Sequence, residues 1–301
     1  MANTVSAATL QTQELQGARE KKESFFTQSF KRLLKNKAAT VALIALLILV
    51  LLAIFAPLIT PYQYDEMDYY AINSAPSLKH WFGTDSLGRD LLSRLLYGGR
   101  YSLSLGFAAS FLSSAVAVVI GSVAGYYGGR VDNIILRICD VVQAIPGMLL
   151  AIVLSTLLGN GYFNTILALA IGGIPSSVRM TRSMTMSVRG NEYLEAAQSI
   201  NCSSSRIMFR HILPNILSPL IVGMTMGMSS VIMLAASLSF LGLGVQPPLP
   251  EWGAMLSAGR NYISNYPWLT IFPGIFIFIT CLSINIFGDG LRDAMDPKLK
   301  D

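Results

Sequence analysis

Few side chains in this 301-residue sequence have the chemistry of a catalytic or metal site. The only histidines are His80 and His211, and the three cysteines, Cys139, Cys202 and Cys281, stand far apart with no CxxC pair. Neither HExxH nor any other metal-ligand spacing occurs, so no metal centre, disulfide framework or catalytic set is expected. Cys139 and Cys281 fall in or beside apolar runs, where cysteine acts as a small hydrophobe. No Gly-Lys dipeptide exists, which excludes a G-x-x-x-x-G-K-[ST] phosphate loop on this chain. Asp140 and Arg137 lie near the start of the apolar run that begins at Val141; either they pair at its inner boundary or one of them lines a pathway. With so few carboxylates near apolar runs, a proton- or sodium-driven carrier has little to work with.

The most informative polar stretch is NEYLEAAQSINCSSSRIMFRHILP, Asn191 to Pro214. Asn191 is a favourable N-cap, and Glu192 and Glu195 sit in the electropositive first turn. Tyr193, Ala196, Ala197 and Ile200 recur at helical spacing, so one face carries a patch of small residues. Asn201 and Ser203 to Ser205 interrupt the pattern. A second helix follows, with Arg206 and Arg210 one turn apart, and Pro214 opens the next apolar run, where its missing N–H costs least. The stretch predicts helix, turn and helix, projecting from a larger body.

That body is a membrane protein. The chain is 52% hydrophobic and 13% charged, against about 25% charged in ordinary soluble domains. Six runs without Asp, Glu, Lys, Arg or His have spanning length or come near it: Ala38–Thr60, Tyr101–Gly128, Val141–Gly159, Phe163–Val178, Asn215–Leu241 and Trp268–Gly288. The fourth is the shortest and contains Gly172, Gly173 and Pro175. An all-α polytopic protein with six transmembrane helices follows, and a soluble enzyme or nucleic-acid binder is excluded. The first run is too long for a signal peptide and has no A-x-A site after it. With the N-terminus inside, 17 of the 22 lysines and arginines fall on the inner side, which places both termini in the cytoplasm. Trp81 and Trp252 then lie in outer loops and Trp268 opens the sixth span, as interfacial indoles do.

The expected organisation is a tail at 1–37, polar over 1–24 and then an amphipathic helix or plain basic flank, followed by a first span at 38–60 and an outer loop at 61–100. A five-helix core occupies 101–290 with its cytoplasmic loop at 191–214, and a tail follows at 291–301. Within the first outer loop, Leu87 to Leu96 predict a surface helix that stops at Gly98-Gly99. Pro247, Pro248 and Pro250 stiffen the second outer loop, which either closes an opening, docks a partner or simply connects. Pro146, Pro175, Pro219 and Pro273 are bending points inside spans. Gly121-xxx-Gly125 and Gly223-xxx-Gly227 allow close helix approach.

Glu195-Ala196-Ala197, the turn at Asn201 and Ile212-Leu213-Pro214 together resemble the EAA loop of permease subunits of ATP-binding-cassette (ABC) importers. That family has glycine at the turn; asparagine is the best substitute for left-handed backbone. FGTDSLGRDLLSRLLYGGRYSL (Phe82 to Leu103), LSFLGLGVQPPLPEWGAML (Leu238 to Leu256) and GDGLRDAMDPKLK (Gly288 to Lys300) are similar to the C-type permease of dipeptide, oligopeptide and nickel importers. The resemblance implies a type I ABC importer permease fold in a bacterial plasma membrane. It also implies a homologous B-type permease partner, two ATPase subunits that bind ATP and Mg, and an external substrate-binding protein. Glu195, Ala196, Ala197, Asn201, Arg206 and Pro214 become the ATPase-docking segment. Peptides are the leading cargo, with nickel or a metal chelate as the alternative and an ion-coupled secondary carrier behind both.

Overall fold

The computed structural model describes residues 25–296, the first two by backbone alone. The stretch 1–24 and residues 297–301, read above as parts of the two tails, lie outside the described residues. Among the described residues there is no strand, only the isolated bridges Met67↔Arg89 and Thr84↔Asp90. The helices are α1 (Phe25–Lys35), α2 (Lys37–Ile54), α3 (Ala56–Ile59), α4 (Leu91–Tyr127), α5 (Gly129–Gln143), α6 (Gly147–Leu158), α7 (Tyr162–Arg189) and α8 (Glu192–Ser199). They continue with α9 (Ser204–Phe240, through a π turn at Ile207–Ile212), α10 (Trp252–Gly259) and α11 (Trp268–Met295).

Helices α2, α4, α9 and α11 are long and apolar enough to cross a membrane, and the bent pair α5–α6 makes a fifth crossing if it is one span. The fourth predicted span lies in α7, which has 28 residues but not the hydropathy. Asn164, Gly172, Gly173 and Pro175 dilute its apolar half, and Arg179 and Arg182 follow. Its most extensive packing is along α4, so one side meets protein and need not be apolar. Gly121 and Gly125 make that approach possible. A Cβ on Gly121 would stand 2.7 Å from the Thr181 Cβ, and one on Gly125 2.7 Å from the Thr185 Cβ. The second glycine pair behaves differently, because Gly227 faces open space.

The third predicted span, Val141–Gly159, is not one helix. The chain breaks at Ala144–Pro146, and α5 and α6 meet at 84°. Proline cannot donate to the carbonyl four residues back, and its ring clashes with that turn. Pro175, Pro219 and Pro273 leave their helices continuous.

The stretch 61–100 is not all loop. Its leucines are not a separate surface helix: α4 begins at Leu91, capped by the Asp90 carboxylate accepting from the Ser93 N–H at 2.8 Å, and runs unbroken through Gly98-Gly99. Those glycines do not stop the helix; they let it lie against the Pro250 carbonyl and, at 3.0 Å from a would-be Cβ, against Ala53 of α2. The proline-rich stretch 242–267 folds onto the bundle. Trp252 is 1% exposed and its Nε1–H donates to the Leu95 carbonyl at 2.9 Å, so it is a core residue and not an interfacial anchor. Helix α10 packs between α9 and α11.

The central core joins Leu105 and Ala109 of α4, Ala151 of α6, Ile166 and Leu169 of α7, and Ala235 and Leu238 of α9. At the N-terminal side, α1 is amphipathic and buries Leu33 against Ala39 and Ala294, while Phe30 and Leu34 remain exposed. It is therefore docked on the end of α11, with an apolar face left over.

Candidate functional site

Helix α8 and the start of α9 form a compact corner at the arginine-rich end of the bundle. Asn191 is extended and its carbonyl accepts from the Leu194 N–H at 2.9 Å, but its side chain makes no capping bond, contrary to its expected role. The C-terminus is more tightly specified. Asn201 takes φ = 57°, the Cys202 N–H donates to the Ala197 carbonyl at 3.1 Å, and the Asn201 N–H donates to Gln198 at 2.9 Å. This is the paired 6→1 and 5→2 pattern that closes a helix on a left-handed residue. Asparagine holds the position that the turn requires.

The corner has an inside and an outside. Leu194 and Ala197 are buried with Ile207, Ile212 and Ile216, against Tyr126 of α4 and Met184 and Val188 of α7. Tyr193, Ala196 and Ile200 point outward, Ile200 being 77% exposed. Ala196 and Ala197 thus lie on different faces, because consecutive helical residues are about 100° apart and Leu194 claims the inner face with its i+3 neighbour. The sequence reading missed Leu194; its spacing to Ala197, Ile207 and Ile212 was the available signal. Glu195 and Arg206 are exposed, as is Phe209. The Asn215 side-chain amide donates to the Tyr193 hydroxyl at 3.2 Å and the His211 carbonyl at 2.6 Å, tying α8 to α9. The π turn Ile207–Ile212 precedes Pro214, which has no N–H to offer the turn before it.

Two ion pairs brace the same end. Asp132 of α5 accepts from both Nε and Nη2 of Arg182 on α7, and Asp140 pairs with Arg179 at 2.5 Å. Arg137 is exposed and is not the partner of Asp140, so the anticipated pairing within one helix gives way to one between helices.

Between α4, α6, α7 and α9 lies a cavity of about 360 Å³ whose polar lining is serine and threonine hydroxyls, including Ser110, Ser114, Ser177 and Ser230; no charged residue lines it. A second, open cavity of about 760 Å³ borders Met184, Pro214, Met226 and Arg292. Met180 and Gly223 line both, and the Met180 side chain lies directly over Gly223, leaving no room there for a Cβ.

At the opposite end His80 is buried, its Nδ1 2.9 Å from Asp90 Oδ1 and its ring stacked on Tyr62. Glu251, which sequence reasoning passed over, is 2% exposed; it accepts from Ser102 Oγ at 3.1 Å and from the Ala254 N–H at 2.9 Å. Burial pushes its carboxyl above the usual carboxylate range. Glu251 caps α10, and His80 braces the Asp90 carboxylate that caps α4.

Residues 117–301 match the family of binding-protein-dependent transport system inner membrane components, and residues 24–76 match the N-terminal TM domain of oligopeptide transport permease C. The dipeptide transport system permease protein DppC of Alkalihalophilus pseudofirmus is 46% identical over 91% of this chain and 90% of its own. The glutathione transport system permease protein GsiD of Escherichia coli O6:K15:H31 is likewise 46% identical, over 91% and 90%. The fold is similar to that of the MetNI methionine ABC transporter solved in inward-facing conformations, with a TM-score of 0.56 and 17% identity over 67% of this chain and 96% of that one. The chain is a non-catalytic, multi-pass inner-membrane permease with the type I importer fold, and it belongs to the dipeptide/oligopeptide permease C family of ABC importers.

Proposed function

We propose that this chain forms half of the translocation pathway of an ATP-driven importer for di- or oligopeptides, which an extracytoplasmic binding protein delivers. Its partner is a homologous B-type permease, and two ATPase subunits bind ATP and Mg and supply the work. The arginine-rich end faces the cytoplasm with both termini, as the asymmetry of lysine and arginine favours. The span at 38–60, the core at 101–290 and the loop at 191–214 serve as anchor, pathway and coupling element. The names of DppC and GsiD, a dipeptide and a glutathione permease, support peptide cargo.

One observation carries the mechanism. Helix α8 exposes Tyr193, Ala196 and Ile200 while Leu194 and Ala197 anchor it to the ends of α4, α7 and α9. A partner pressing on the outer face displaces a corner that is already packed on the spans. Glu195, Arg206 and Pro214 border the docking face, Asn201 sets its turn and Ala197 its footing. ATP states that favour one permease conformation then shift the pathway, and substrate shifts the ATPase reciprocally.

Ala196→Asp in the assembled transporter tests this reading. The variant is expected to insert and assemble, yet to lose at least about tenfold of peptide-stimulated ATP hydrolysis and uptake, the cost of a charge facing a close-packed interface. Wild-type hydrolysis and uptake in that variant would remove α8 as the docking element.

A further inference from the structure

We infer that α1 docks on an anionic lipid surface: Phe30 and Leu34 enter the membrane interface at the start of the first span, and Lys35 and Lys37 hold acidic headgroups beside them.

Helix α2 has 18 residues, about 27 Å at 1.5 Å per residue, close to the roughly 30 Å of a bilayer's hydrocarbon. Lys37, its first residue, therefore stands at one boundary of that layer. Asn36 alone separates α1 from α2, and it turns the chain: its backbone is extended, and its side chain accepts from the Ala39 N–H at 3.2 Å. The Thr40 hydroxyl donates to the Leu34 carbonyl at 3.2 Å and fastens the end of α1 to the first turn of α2. The C-terminal half of α1 is thereby held at headgroup level, beside a span that exposes Val41, Ile44 and Ile48 along one side.

At about 100° per residue the order around α1 is Leu33, then Phe30 and Leu34, then Lys31 and Lys35. Leu33 is buried against Ala39 and Ala294, whereas Phe30 is 54% and Leu34 46% exposed. A basic flank that only sets topology needs the charges and not the stripe. A helix that only clamps the end of α11 needs Leu33 and not its exposed neighbours. Protein on one side, a bare apolar stripe next to it and cations beyond are the order an interfacial helix requires. The stripe can sink below the headgroups while the long lysine chains reach back up to them.

Charge identifies the lipid. Lys31, Arg32, Lys35 and Lys37 fall within seven residues, and no Asp or Glu occurs from Phe25 to Tyr64. Among the described residues Arg32, Lys35 and Lys37 have no ion-pair partner, and both Lys35 and Lys37 are exposed. Lys37 also opens α2, at the end of a helix where a cation is disfavoured. An anionic headgroup offsets that repulsion and meets Lys35 as well; a zwitterionic headgroup brings a cation of its own. An acidic soluble protein would match the charges but not an apolar stripe at the edge of the bilayer.

The test uses the complete transporter with its partner subunits, in phosphatidylcholine vesicles where a fixed fraction of the lipid carries a nitroxide high on its acyl chain. Native cysteines are replaced and a bimane is attached to Phe30→Cys. Nitroxide phosphatidylglycerol is expected to quench this probe at least about twofold more than the same fraction of nitroxide phosphatidylcholine, and aqueous iodide should quench it little. The same probe on Gln28→Cys, exposed on the far side of α1, should show quenching by iodide and little by lipid. Lys35→Gln with Lys37→Gln should bring the two lipids to equal quenching at position 30, and Lys35→Arg with Lys37→Arg should keep the preference. Quenching at position 30 by iodide and not by lipid would overturn the assignment in favour of a solvated flank. Quenching by neither would overturn it in favour of a protein cover, whether a partner subunit or residues 1–24. Equal quenching by the two lipids without the lysine substitutions would overturn it, as would a preference that survives the glutamine pair. No peptide is supplied, so each outcome is independent of the cargo.

Discussion

The Cys202 N–H reaches back across Asn201 to donate to the Ala197 carbonyl at 3.1 Å, and together with the Asn201 N–H bond to Gln198 it closes α8 before the chain enters α9. Asn201 holds the left-handed conformation (φ = 57°) that makes the bond geometrically possible. The turn and the inner face of the coupling corner are therefore one feature: Ala197 supplies both the carbonyl and a buried methyl.

This sets an expectation at position 201. Asn201→Gly relieves the left-handed strain and leaves thermal stability and coupled uptake at or above wild type. Asn201→Val costs about 1–2 kcal/mol, because a β-branched side chain crowds the carbonyl in that conformation. Thermal melting of the purified complex alongside uptake checks both; a valine variant as stable as wild type would show that the turn does not constrain the corner.

The two adjacent alanines are expected to part company. Ala197→Asp places a carboxylate among Leu194, Ile207 and Ile212 and destabilises the corner by roughly 3 kcal/mol or more, seen as poor yield and a lowered melting temperature. Ala196→Asp leaves the melting temperature unchanged and acts on coupling alone. Identical behaviour of the two variants would contradict the inside–outside assignment.

Asp132 and Arg182 are expected to be worth about 1 kcal/mol to the α5–α7 junction, given a bidentate but partly solvated pair. A double-mutant cycle with Asp132→Asn and Arg182→Gln reads the coupling from melting temperatures. If the two losses simply add, the pair contributes nothing beyond its separate side chains.

Glu251 confers a pH dependence of definite sign. Its folded-state affinity for a proton is raised by burial, so between the ordinary glutamate value near 4.5 and its elevated value the folded state binds more proton than the unfolded. Its contribution to stability is complete below the ordinary value and is lost as pH rises through the elevated one. Glu251→Gln keeps an acceptor for Ser102 and Ala254 but cannot ionise, so its melting temperature should gain on wild type as pH is raised from about 4.5. A constant offset between the two across that range would refute the assignment.

Much of this molecule was legible in its amino-acid order, because the relevant signals are local. Uncharged runs of spanning length, the helix–turn–helix of Asn191 to Pro214 and the left-handed role of Asn201 each depend on residues within a few turns of one another. Gly121-xxx-Gly125 is nearly so, since the absence of side chains suffices to admit a neighbouring helix. Other features needed the assembled bundle. Gly98-Gly99 reads as a stop until Pro250 and Ala53 arrive beside it, and Trp252 reads as interfacial until its indole meets the Leu95 carbonyl. Asp140 has Arg137 three residues away but joins Arg179 on another helix, and Ala197 turns inward because Tyr126, Met184 and Ile216 lie there. Periodicity states which residues can be buried together; which surface buries them depends on contacts between segments distant in the chain, and only tertiary packing decides those.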